Sequence, residues 1–120
     1  MSALVDEWVL KAEGDYLTAA RELRVRKLPN YDAVCFHSQQ CVEKCIKAFL
    51  QMKNQEFPRI HDLIDLLELC LPYDGTFELQ RDLLKDLTKY AVGVRYPGES
   101  ADKNEARYAR FERCRVLVSY

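Results

Sequence analysis

Residues 31–53 constrain the fold more than any other stretch, because they contain neither proline nor glycine. Their apolar side chains recur three or four positions apart, in two adjacent rows. The first row is Val34, Cys41, Cys45, Ala48 and Met52, and the second is Cys35, Val42, Ile46, Phe49 and Leu50. So broad an apolar stripe predicts a helix of about 35 Å that is buried against several neighbours.

The same stretch holds the densest run of hydrogen-bonding side chains in the chain. They are His37, Ser38, Gln39, Gln40, Glu43, Lys44 and Lys47. A central helix that is partly core and partly polar is the first place where we look for function.

The rest of the chain predicts an all-α protein. It has 120 residues, 48% hydrophobic residues, and only 4 Gly and 4 Pro, whereas strands would need more turns. Proline, glycine and capping signals divide it into helices at about 2–24, 31–53, 61–71, 76–90 and 101–120. We therefore expect a single domain, 1–120, folded as an antiparallel up-and-down four-helix bundle with an additional short helix.

Charge gives no general attraction for nucleic acid, because the formal net charge is −1. Basic residues concentrate at 21–27 and in the series Arg107, Arg110, Arg113 and Arg115. Cations at the end of the first helix are favoured by the helix dipole, which is the simpler interpretation. Any contact with RNA would have to be local.

The five cysteines show no C-x-x-C spacing, and we interpret them as buried apolar groups in a reducing compartment. The N-terminal sequence has no basic region followed by an uninterrupted apolar run, so it does not resemble a signal peptide. No apolar run is long enough to span a membrane. We expect a cytoplasmic protein without membrane contact.

Two features could carry chemistry. Asp15 falls on the apolar stripe of the first helix, so its carboxylate needs a partner or an interface. Residues 91–100 form a loop that carries Arg95 and Tyr96, which suit phosphate and ring contacts. Arg95 either binds a ligand or pairs with an acid such as Asp15 or Glu43.

Other kinds of site find little support in the sequence. The only histidines, His37 and His61, have no metal-binding partner at helical spacing, so we expect no metal. There is no glycine-rich phosphate loop and no nucleophile motif, so we expect no cofactor.

Several segments together resemble the HEPN domain, a family of higher eukaryotes and prokaryotes with proposed nucleotide binding. Trp8, Ala12 and Asp15 lie in the first helix, FHSQQCVEKCIKAFL occupies 36–50, HDL occupies 61–63 and RYP occupies 95–97. The resemblance covers essentially the whole chain.

The resemblance implies a four-helix bundle that pairs as a homodimer. It also implies partnership with a minimal nucleotidyltransferase, with the HEPN protein binding a nucleotide or acting as the toxin of a toxin–antitoxin module. The positions that it marks as a nucleotide- or partner-binding site are Asp15, His37, Gln40, Lys44, His61, Arg95 and Tyr96.

The chain departs from the ribonuclease branch of the family. Members of that branch carry an arginine that is followed, after four to six intervening residues, by a histidine. No arginine stands at that spacing before His37 or His61, and no histidine follows Arg95. We therefore predict a non-catalytic subunit that binds a nucleotide and/or partners a minimal nucleotidyltransferase. The alternatives are a metal-independent endoribonuclease toxin that uses His61 or His37 with Arg95, and polar residues that serve only a dimer interface.

Overall fold

The computed structural model describes residues 2–91 and 97–110, and every regular element among them is helical. The elements are α1 (Ala3–Leu23), α2 (Tyr31–Met52), α3 (Leu63–Cys70), a 3₁₀ helix (Gly75–Gln80), α4 (Arg81–Thr88) and α5 (Lys103–Ala109). The predicted all-α class is confirmed.

Short polar side chains fix the starts of the helices. The Ser2 hydroxyl accepts a hydrogen bond from the Val5 amide at 3.2 Å, as the sequence predicts. Asn30 caps α2 through the amide of Ala33, at 3.0 Å. Each cap satisfies an amide that has no partner inside its own helix.

Helices α1 and α2 form the largest helix–helix contact of the described chain and run antiparallel. Three contacts between them establish the direction. The Glu22 carboxylate accepts from the Asn30 amide, Asp15 contacts His37, and the Trp8 ring contacts Lys47. The contacting positions decrease along α1, from 22 to 15 to 8, while they increase along α2, from 30 to 37 to 47. The two helices are therefore antiparallel, and one face of α2 lies along α1.

The core surrounds α2 on the α1 side and on the faces toward α3, α4 and α5. Nine of the ten residues in the two predicted rows are buried, and Met52 is half-buried. Against them pack four buried leucines of α3 and α4 that have almost no exposed surface: Leu66, Leu67, Leu84 and Leu87. Burial of this apolar surface is the main force that holds α2 at the centre.

Two predicted helix starts were displaced by aspartates. The short helix begins at Leu63 rather than His61, because the Asp62 carboxylate accepts from the Ile64 amide at 2.9 Å. In the next segment Asp74, not Thr76, is the cap, and its carboxylate accepts from the Thr76 amide at 3.0 Å. That first part is a 3₁₀ helix, and α4 proper begins at Arg81 and ends at Thr88.

The first and last helices differ from their predictions in detail. The apolar spacing of the first helix predicts that Leu4 is buried, but Leu4 is 55% exposed and Val5 is buried instead. A glycine inside a helix suggests a close contact with a neighbouring helix, but nothing lies within 4 Å of a Cβ built on Gly14. The apolar spacing of the last helix predicts burial of Ala106, Ala109, Val116 and Leu117; the first two are buried in α5, and the last two lie outside the described residues. No helix in the described part of the chain is long and apolar enough to cross a membrane.

Candidate functional site

The polar face of α2 carries two groups of charged side chains, and the first is centred on Asp15 of α1. The Asp15 carboxylate contacts His37 Nδ1 at 2.8 Å through one oxygen and Lys44 Nζ through the other. We call these three residues the Asp15 network. The Asp15 side chain is 12% exposed and the Lys44 side chain 22% exposed, so the network lies at the edge of the core.

The second group is centred on Glu43 and is more deeply buried. Lys47 Nζ donates to Glu43 Oε2 at 3.0 Å, and His61 Nδ1 lies 3.1 Å from both carboxylate oxygens. Gln39 Nε2 donates to Glu43 Oε1 at 3.1 Å, and Gln40 Nε2 donates in turn to Gln39 Oε1 at 2.6 Å. We call these five residues the Glu43 network.

The Glu43–Lys47 pair is the most deeply buried ion pair on the polar face of α2. Only 4% of the Glu43 side chain and 7% of the Lys47 side chain are exposed. The Lys47 ammonium also lies 5.6 Å from the centre of the Trp8 ring and 6.0 Å from the centre of the Phe57 ring, so cation–π contacts with both rings stabilise its charge. Removing either charge would leave its partner uncompensated in a low-dielectric setting.

Both histidines are oriented by a carboxylate in the same way. An ionised carboxylate only accepts hydrogen bonds, so each Nδ1 carries the proton that it donates to Asp15 or to Glu43. Each Nε2 then points away from its carboxylate, and no hydrogen bond to it occurs within residues 2–91 and 97–110. The His37 side chain is 30% exposed and the His61 side chain 65% exposed, so both rings can offer Nε2 to a ligand.

Five of the seven predicted site residues are therefore placed by the structure. Asp15, His37 and Lys44 form one network, and Gln40 and His61 belong to the other. The loop residues Arg95 and Tyr96 lie outside the described residues, as does the predicted choice between a ligand and an acid for Arg95.

Sequence reasoning left Gln39, Glu43 and Lys47 out of the site, although they form its buried part. All three are among the buried polar residues of the structure. A signal was available: at positions 39, 43 and 47 they recur every four residues, beside the second apolar row of α2 on the side away from the first row. Polar residues at such spacing beside an apolar seam indicate an internal network.

Other chemistry has less support at this surface. Burial raises the pKa of the Cys70 thiol to about 12, and nearby Asp74 adds to the shift, so this thiol is a poor nucleophile at neutral pH. In the described segments, no three side chains among His, Cys, Asp and Glu are grouped to hold a metal ion.

Comparison with known families adds one finding. The model of the HEPN domain matches residues 5–117, nearly the whole chain. No curated protein and no solved structure matches significantly. The chain belongs to the HEPN domain family.

Proposed function

We propose that this HEPN protein is a non-catalytic subunit that binds a nucleotide and/or partners a minimal nucleotidyltransferase, in a module of the toxin–antitoxin type. One observation carries the proposal: the Asp15 network holds two donors, His37 and Lys44, on one partly exposed carboxylate. Their orientation is fixed before any ligand arrives, which lowers the entropic cost of binding.

Each group has a role in this proposal. Lys44 supplies positive charge to a phosphate, and His37 orients the ligand through Nε2. Gln40 donates one N–H of its amide to Gln39, so its second N–H and its carbonyl oxygen remain for a ligand. From the 91–100 loop, Arg95 would neutralise phosphate and Tyr96 would stack on the base or hydrogen-bond it.

Calorimetric titration with ATP, GTP, CTP and UTP, with and without magnesium, tests this proposal. We expect saturable binding that weakens roughly tenfold or more in Lys44→Met and in Arg95→Ala, because each loses a charge-assisted contact. Lys85→Ala, an exposed cation on α4 away from both networks, is the matched control.

The absence of heat with any nucleotide would leave the partner role alone, to be tested by co-purification with a minimal nucleotidyltransferase. Equal affinity in wild type and Arg95→Ala would remove Arg95 from the site. Binding that is lost equally in the Lys85→Ala control would show that only general charge matters.

A second candidate function, a metal-independent endoribonuclease toxin, is favoured by the exposure of His61. Its ring is 65% exposed and is oriented by a buried carboxylate, an arrangement suited to proton transfer. Under this alternative, expression arrests growth and RNA is cleaved without metal, and His61→Ala or His37→Ala abolishes both effects. A lack of both growth arrest and RNA cleavage for the wild type would eliminate it.

We also propose that the protein forms a homodimer, and the outer face of α1 offers apolar surface for it. Leu10 is 69% exposed and Leu17 is 47% exposed, two turns apart on that face. Sedimentation of the wild type should give a dimer, and Leu10→Glu combined with Leu17→Glu should give a monomer. If substitutions at Asp15 and His37 weakened dimerisation and nothing else, the polar residues would serve the interface alone.

A further inference from the structure

A basic pocket of about 690 Å³ lies away from both networks, where the end of α1, the start of α2 and the face of α5 meet. Four cationic side chains line it: Arg24, Arg26, Lys103 and Arg107. The half-buried Tyr31 ring completes the wall. Its size falls within the range of pockets that hold small ligands.

The four cations have no ion-pair partner within the described ranges, 2–91 and 97–110. Three carboxylates on the same segments accept hydrogen bonds from backbone amides: Glu22 from Asn30, Asp32 from Ala101 and Asp102 from Glu105. The pocket is therefore lined by positive charge that the surrounding side chains do not pair.

Stability of the helices explains only part of this arrangement. Arg24 is the C-cap of α1, where a cation is favoured by the helix dipole. Arg107 lies in the last turn of α5 and has the same explanation, whereas Arg26 lies beyond α1 and Lys103 lies at the N-terminal end of α5, where the dipole disfavours a cation. The fold brings two distant basic segments together, and like charges placed together repel. A bound anion would offset that repulsion.

We propose that this pocket binds a small polyphosphate anion, either inorganic or the phosphate tail of a nucleotide. Guanidinium groups bind phosphate oxygens through paired N–H donors, and three of the four cations are arginines. Nucleic acid is the weaker alternative, because a net charge of −1 provides no extended basic surface to follow a phosphate backbone. The proposal does not depend on the nucleotide site, since no pocket residue belongs to the Asp15 or Glu43 network.

Titration of the full-length protein with sodium tripolyphosphate at low salt tests the pocket. We expect saturable binding with a stoichiometry of about one per chain, weakened roughly tenfold or more in Arg26→Ala/Arg107→Ala. The matched control is Arg59→Ala/Lys85→Ala, which removes two exposed cations outside the pocket and should leave affinity unchanged. Lys44→Met identifies which site is occupied: a loss of tripolyphosphate binding confined to Lys44→Met would place the anion at the Asp15 network and overturn the assignment to the pocket.

Competition distinguishes the source of the phosphate. If nucleoside triphosphates and tripolyphosphate compete with similar affinity, the phosphate groups carry recognition; if nucleotides bind more tightly, the base and Tyr31 contribute as well. The proposal is overturned if tripolyphosphate shows no saturable binding, or if the pocket variant and the control variant lose affinity equally. It is also overturned if a single-stranded oligonucleotide binds the pocket more tightly than every polyphosphate, because the site would then be a nucleic-acid contact.

Discussion

The Glu43–Lys47 pair and the basic pocket both hold positive charge at α2, but under opposite conditions. The charge of Lys47 is buried and paired, whereas the cations of the pocket are exposed and have no carboxylate partner among the described side chains. Lys47 is buried beside the Trp8 and Phe57 rings, and its Nζ forms an ion pair with Glu43 Oε2 at 3.0 Å. Arg26 and Arg107 are exposed and face a cavity without a carboxylate partner among the described side chains. The Asp15 network lies between these extremes, with Lys44 paired but 22% exposed.

The difference indicates which charges the fold itself requires. A buried charge must be neutralised by its neighbours, because removing it from water costs several kcal/mol. An exposed cation remains solvated, so it costs little and is available to an incoming anion. Burial and pairing therefore separate the structural charges of this protein from those that can serve a ligand.

The largest expected effect is at Glu43. Glu43→Gln removes the negative charge from a side chain that is 4% exposed and leaves Lys47 buried with no carboxylate. We expect the free energy of unfolding to fall by about 3 kcal/mol, as when a buried pair is broken. Urea denaturation followed by circular dichroism measures this directly.

A double variant shows whether the lost stability comes from the unpaired charge. Glu43→Gln/Lys47→Met removes both charges and keeps the volume of the lysine stem, so it should recover most of the stability lost in Glu43→Gln. If the double variant were as unstable as the single one, the pair would not be the source of the loss.

Much of the fold could be predicted from the sequence, because the width of the apolar stripe on α2 indicates that several helices pack around it. The two predicted rows of α2 are buried in the structure, apart from the half-buried Met52. The helix starts near His61 and Thr76 were wrong, since several capping residues stand close together in each segment. Which aspartate caps a helix depends on backbone angles that composition does not specify.

The candidate site could be predicted only in part. Asp15 was expected to find a partner, and the α1–α2 register supplied His37 and Lys44. Neither the union of Glu43 with His61 nor the meeting of Arg26 with Arg107 could be read from the sequence. Both depend on how helices pack across long separations, which local patterns do not encode.

A second, smaller effect is expected at Asp15. Asp15→Asn leaves Lys44 and His37 without a carboxylate, but both side chains can turn toward water because they are partly exposed. We expect a loss of about 1.5–2 kcal/mol, roughly the value of hydrogen bonds to a charged group. The same denaturation series measures it. A loss as large as that in Glu43→Gln would contradict the link between burial and cost.

The His61 contact should contribute less. In His61→Ala the Glu43 carboxylate keeps Lys47 and Gln39, so no buried charge is left unpaired. We expect a loss of about 1 kcal/mol, because one hydrogen bond from a ring that is 65% exposed is removed. Comparison with His61→Gln, which keeps a donor, is the control, and it should lie closer to the wild type.

The smallest effect on stability is expected in the pocket, and it distinguishes the two kinds of charge most clearly. Arg26→Ala/Arg107→Ala should change the free energy of unfolding by less than about 0.5 kcal/mol, because both side chains are exposed and unpaired in the described ranges. Relief of repulsion should make any change at low salt slightly stabilising, and added salt should cancel it. Thermal denaturation at two salt concentrations measures both points. With tripolyphosphate present the wild type should become more stable than the variant, since only the wild type gains stability from the bound anion. A large loss without ligand would instead make these arginines part of the fold, like Lys47.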